Sequence, residues 1–418
     1  MTGEATIAQK SPSRTSVALH NLRGFVILIV IAFHSFLAYL ASQPSSPLPF
    51  DSPPYHWKAI PISDSEHWFG FDLFCASQYV YVMQFMFFLS GLFVWPSFRR
   101  RGASSFVYDR TLRLGVPFLL GICLLMPLAH YPVYRVRASD PSWSAYWAHW
   151  TALPFWPTGP MWFLSFLLVL DVLAAALFWL APRSGEYLGR LSAGAGAHPA
   201  RWFIALFAAS ALAYIPLAAV YRPWDWIQLG PFALQPSFAL LYVVYFFAGV
   251  TVGSYAIDQG LLRADGVLAR RWGAWTAGAF GGFLAWIIPT ALIVDKPPGA
   301  VPPLELVADL GFVLASVSAC FGLAAVFLRF AGRRSPVLHS LSHNAYGIYL
   351  VHYLFVVWLQ YLLLGAPLVA LAKGAIVFAA TLVLSWSIVA GMRRIPIATT
   401  LATGRTPLLA RARSRKKR

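Results

Sequence analysis

Runs of roughly twenty apolar residues recur along this chain, and they constrain its fold more than any other feature. A helix needs about 20 apolar residues to cross the hydrocarbon core. Inside that core each backbone N–H and C=O must be satisfied within the structure itself, which an α-helix does by construction. The runs lie near residues 23–41, 73–95, 114–130, 160–181, 201–221, 233–255, 273–294, 306–328, 344–363 and 369–391. The expectation is an all-α polytopic membrane protein with about ten transmembrane helices. Composition agrees: 59% of the residues are hydrophobic and 11% charged, where a soluble domain carries about 25% charged residues.

The net charge of +17 would suggest nucleic acid in a soluble protein. Its distribution argues otherwise. With the N-terminus cytoplasmic, 26 of the 32 Lys and Arg fall at one side of the ten spans; the other side has Lys58, Arg135, Arg137, Arg222, Lys296 and Lys373. That bias follows the positive-inside rule and places both termini in the cytoplasm. The partners expected are therefore a lipid bilayer and no nucleic acid. Residues 1–20 read as a disordered cytoplasmic N-terminus, 21–395 as one transmembrane domain, and 396–418 as a basic cytoplasmic tail able to meet anionic lipid. Residues 182–200, rich in Gly, Ala and Ser, read as a flexible inner loop. Cys75, Cys123 and Cys320 lack metal spacing and form no disulfide framework.

Within this apolar background, ionisable groups stand out as functional candidates. The first run, "LRGFVILIVIAFHSFLAYL" (22–40), contains Arg23 and His34. Eleven residues at 100° each bring both to one helix face, about 16 Å apart along the axis. A permanent cation then sits at the cytoplasmic mouth and a proton acceptor deeper in. A snorkelling arginine with an unrelated packed histidine would give the same pattern. Asp171 lies mid-span, where it can be protonated, pair with an Arg or orient a histidine. Tyr346, Tyr349 and His352 recur every three residues on the ninth run, which reads as one shared helix face. Ser90 and Gly91 form a small pair suited to close helix approach. Glu305 and Asp309, four apart, could contact a substrate or face water.

Arg, ten residues, then His in the first span resembles the type-3 integral membrane acyltransferases. The resemblance continues in order through "FMFFLSGLF" (85–93), "RTLRLGVP" (110–117) and "NAYGIYLVH" (344–352), and covers roughly residues 19 to 395. "GPMWFL" (159–164) and "MQFMFFLSG" are most similar to the glucan-biosynthesis protein C branch of periplasmic glucan succinyltransferases. The family tends to carry acids after the tryptophan of the fourth-span motif, whereas Trp162 is followed by Phe163, Leu164, Ser165 and Phe166.

The resemblance implies an O-acyltransferase in a bacterial inner membrane. It would move an acetyl or succinyl group from cytoplasmic acyl-CoA to a hydroxyl of an extracytoplasmic carbohydrate or glucan. No cofactor is expected to be bound permanently, and no metal. An alcohol attacks a thioester poorly until a base takes its proton, a task suited to histidine. His34 is the candidate base, Arg23 its companion, and His352 the reserve base. Asp171 completes the catalytic candidates. Arginine binds phosphate bidentately, so Arg110 and Arg113, three apart and on one face if the inner end is helical, are donor-binding candidates, together with Ser90, Tyr346 and Tyr349. Without the resemblance, His34, His352 and Asp171 would equally suit the relay of a transporter or lipid-handling protein. The absence of internal repeats weighs against that alternative.

Overall fold

The computed structural model describes residues 13–393, apart from 44–48, 54, 224 and 298. Ten helical spans are long and apolar enough to cross a membrane: Arg14–Tyr39, Phe69–Arg101, Ala103–Arg137, Gly159–Leu180, Pro199–Ala218, Pro236–Gly253, Trp272–Ile293, Pro302–Phe330, Pro336–Leu362 and Ala370–Met392. The all-α expectation and the span count hold. The one sheet among the described residues is a hairpin, β1 (Ile227–Leu229) and β2 (Phe232–Leu234). Gly230, at φ +59°, supplies the positive φ that its turn needs.

Several helices outrun their apolar cores. The first begins at Arg14, so residues 14–20 are helical and not disordered; the N-terminal segment before Ser13 and the basic tail 396–418 lie outside the described residues. Ser13 caps this start by accepting the N–H of Ser16 at 3.2 Å. Ser335 caps the ninth span in the same way, nine residues before its apolar run begins. Such caps satisfy N–H groups that no helical carbonyl can reach. Residues 182–200 also depart from expectation. They hold a helix, Ser184–Ala193, in which a Cβ at Gly189 would lie 2.9 Å from the Ser254 carbonyl oxygen.

The first span lies at the centre of the bundle, against the eighth, ninth and tenth. The second packs on the sixth with backbones in near contact: a Cβ at Gly91 would come within 2.2 Å of the Phe246 carbonyl oxygen. The Ser90–Gly91 pair thus provides close helix approach, and Ser90 Oγ donates to the Met86 carbonyl at 2.8 Å.

The third span contains two π-helical turns, Thr111–Gly115 and Gly121–Leu125. Pro117 and Pro132 have no N–H, so the carbonyls of Arg113 and Leu128, four residues earlier, lose their helical donors. The ninth span supplies both replacements: Tyr346 Oη donates to Arg113 O, and Trp358 Nε1 donates to Leu128 O at 2.9 Å. These bonds fix the two helices in register and hold the ninth span against the third.

We call the bundle end bearing Arg14, Arg101 and Met392 the basic face, and the other the loop face. At the basic face Asn21 Nδ2 donates to the carbonyls of Ala331 and Arg333 at 2.8 Å each. At the loop face Lys373 Nζ lies 2.9 Å from both oxygens of Asp64, and both side chains are 1% exposed. That ion pair ties the loop after the first span to the start of the tenth.

Candidate active site

A cavity of about 870 Å³ opens toward the loop face and reaches His34. Its wall combines apolar groups, such as Phe33, Met86 and Trp286, with Lys58, Gln235, Asp309 and the hydroxyl-bearing Tyr349 and Tyr353. His34 lines it from the last turns of the first span's α-helix, just before a 3₁₀ turn at Leu37–Tyr39. The carbonyls of His34 and Ser35 take their bonds from Gln360 Nε2, at 2.9 and 3.2 Å. Gln360 is 1% exposed and anchors the backbone that carries His34.

The histidine protons can be placed by acceptor chemistry. His34 Nδ1 lies 2.8 Å from the Val30 carbonyl and His352 Nδ1 lies 2.7 Å from the Tyr349 carbonyl. A carbonyl only accepts, so both Nδ1 atoms carry hydrogen. His352 Nε2, 3.4 Å from His34 Nδ1, then presents a lone pair to that same N–H. The Nε2 of His34 is left as an acceptor. The two rings meet edge to face, with centroids 5.1 Å apart. His352 is fully buried behind His34 and is not part of the cavity wall.

The other sequence candidates are placed as follows. Arg23 is exposed at the basic face and does not line the cavity. The stripe from Arg23 to His34 is real, but Ile27 and Val30, 5% and 6% exposed, lie between them on the same helix face. The expected single passage holding both groups is therefore closed here by packed apolar side chains. Arg110 and Arg113 do not work from a shared face. The helix changes to π pitch directly after Arg110, and the two side chains take different partners. Arg110 Nε meets Asp171 in the fourth span at 3.3 Å, while Arg113 Nε meets Asp109 at 3.1 Å. Asp109 is also paired with Arg101, at 2.8 Å. Of the three possibilities the sequence left open for Asp171, the structure has the pairing with an arginine, and it contacts no histidine among the described residues.

Tyr346, Tyr349 and His352 do not share one face either. A step of three residues turns back about 60° each time. The three side chains fan out, to Arg113 in the third span, Pro160 at the head of the fourth and His34 in the first. Of the donor-binding candidates Arg110, Arg113, Ser90, Tyr346 and Tyr349, the cavity wall includes Tyr349 alone. Among the described residues, no group of three or more His, Cys, Asp or Glu could hold a metal.

Several wall residues were not singled out by the sequence. His130 is an interior histidine at the very edge of an apolar run, where the hydropathy pattern that exposed His34 could also have flagged it. Lys58 sits with its Nζ 4.4 Å from the centre of the Phe155 ring. Desolvation lowers its pKa below the ordinary lysine value. Gly159, at φ +46°, lets the Thr158–Gly159–Pro160 turn pass Tyr353; a Cβ there would lie 3.1 Å from Tyr353 Cε1. Trp143, Trp147 and Trp156 remain exposed outside the cavity, as belt residues do.

A family model described as an acyltransferase domain matches residues 16–390. Comparison with curated proteins and with solved structures found no match.

Proposed function

The chain belongs to the type-3 acyltransferase family and is a membrane acyltransferase; from that premise we propose that it moves an acetyl or succinyl group from acyl-CoA to a carbohydrate hydroxyl, with His34 as general base. The supporting observation is the His34 ring, whose Nδ1–H is held by a carbonyl while its Nε2 is left to accept a proton at the cavity. In the proposed reaction the acceptor hydroxyl gives its proton to His34 Nε2 as its oxygen attacks the thioester carbon. The C–S bond breaks, and the departing CoA thiolate takes the proton back from His34. While His34 is an imidazolium, its Nδ1–H is stabilised by the Val30 carbonyl and by the lone pair of His352 Nε2. His352 is thus a positioning residue for the base.

The donor is proposed to approach from the basic face, taken to be cytoplasmic, with Arg23 engaging its phosphates. The thioester must then cover about 16 Å along the first span to reach His34, which requires the side chains around Ile27 to yield. Arg101 and Arg113 share the single carboxylate of Asp109, and their excess charge contributes positive potential at that face. The acceptor enters from the loop face, taken to be extracytoplasmic in a bacterial inner membrane. Lys58 offers a cation for the distal carboxylate of a succinyl group, which favours the glucan succinyltransferase branch.

Two variants test this division of labour. Arg23→Gln, an exposed change, should raise the KM for acyl-CoA and leave the acceptor KM in place. His352→Ala should lower kcat while both KM values hold. An unchanged donor KM, or an unchanged kcat, would remove the corresponding role.

A further inference from the structure

The cavity contains a second histidine with the same fixed orientation as the first. His130 Nδ1 lies 2.9 Å from the Met126 carbonyl, so this nitrogen carries the proton and Nε2 the lone pair. Among the described residues nothing hydrogen-bonds to that Nε2, although His130 lines the cavity. The ring is packed by Trp57, Trp150 and Tyr353, with centroids 5.3, 5.6 and 5.9 Å away.

His34 and His130 lie against the same Tyr353 ring, at centroid distances of 5.6 and 5.9 Å. The cavity therefore presents two nitrogens that accept hydrogen bonds and donate none. Two wall amides are already engaged: Gln235 Nε2 donates to Pro223 O and Tyr79 Oη, and Gln78 bonds to Ser77 and Tyr81. A ligand with one hydroxyl satisfies His34 and leaves His130 desolvated without a partner, which opposes binding.

We infer that His130 receives a second hydroxyl of the acceptor beside the one that reacts at His34, so that the cavity selects polyols over lone alcohols. The inference rests on the acyl-transfer reading above and deepens it. His130 is a substrate-binding residue in this account, and Tyr353 is the shared wall that sets the two hydroxyl sites apart.

The test is a competition in purified protein between methyl β-glucoside, a polyol, and 1-propanol, with acetyl-CoA as donor and acylated products separated by mass spectrometry. The wild type should favour the glucoside. His130→Phe preserves ring packing but removes the lone pair, and should lower that preference about tenfold, chiefly through the glucoside KM. His130→Gln restores an accepting oxygen and should recover part of the preference; it also stands alone as the test if the Phe variant does not fold. Equal use of both alcohols by the wild type, acylation of neither while acetyl-CoA is consumed, or a preference unchanged in both variants overturns the inference. No consumption of acetyl-CoA by the wild type would instead bring down the acyl-transfer reading, and the inference with it.

Discussion

At the scale of single residues, the chemistry depends on which atom of each ring carries hydrogen. Val30 and Tyr349 set the two tautomers through their carbonyls, and the sequence could not show that. It could show His34, because an imidazole in a twenty-residue apolar run is conspicuous and its eleven-residue distance from Arg23 has a geometric meaning. The same reasoning placed Arg23 and His34 on one stripe and missed the apolar packing between them, since Ile27 and Val30 look like any other membrane residues until their neighbours are known. Lys58 was legible only as one loop cation among six. If it receives the far carboxylate of a succinyl group, Lys58→Met should bring succinyl-CoA and acetyl-CoA to similar kcat/KM. The sign of the pH effect follows from desolvation. Because burial lowers the Lys58 pKa, its charge disappears as pH rises at values where an exposed lysine would keep it. The succinyl preference of the wild type should fall as pH is raised through that range, and that of Lys58→Met should stay flat. A preference that follows the same pH curve in both proteins would discard Lys58 as the cation.

Among elements, the pairing of the third and ninth spans carries the most structural information. Two prolines free two carbonyls, and the ninth span returns a tyrosine and a tryptophan to them. Tyr346→Phe should therefore destabilise the protein by about 0.6–1.7 kcal/mol, the range for interhelical hydrogen bonds in membranes. In a Pro117→Ala background the helix can supply its own N–H to Arg113 O, and the same tyrosine change should cost less. A double-mutant cycle in thermal or denaturant unfolding measures that coupling; strict additivity would show that Tyr346 does not replace the missing donor. Helix existence was legible from hydropathy, and all ten spans follow from it. Helix starts were not, because hydropathy reports the hydrocarbon core while Ser13 and Ser335 set the ends. The π turns after Arg110 were also hidden. They begin where a spacing of three, read as one face, became two separate ion pairs.

For the whole molecule, the loop face is organised around a buried charge pair. Asp64 and Lys373 are far apart in sequence, and Lys373 stood out only as one of six cations on the side away from the termini. In the fold they are sealed together and hold in place the loop that brings Lys58 to the cavity wall. Asp64→Asn leaves a buried ammonium without its partner and should destabilise by about 3–5 kcal/mol, while Asp64→Asn combined with Lys373→Met should recover much of that loss. Equal destabilisation in the single and double variants would contradict the clamp. The central claim concerns the base at the end of the first span. The most direct measurement follows free CoA thiol and acylated methyl β-glucoside together in purified wild-type and His34→Ala protein. The account predicts matched release and acylation in the wild type, and a loss of at least about a hundredfold in His34→Ala protein that still inserts and folds. Near-normal acylation by the His34→Ala variant would contradict it.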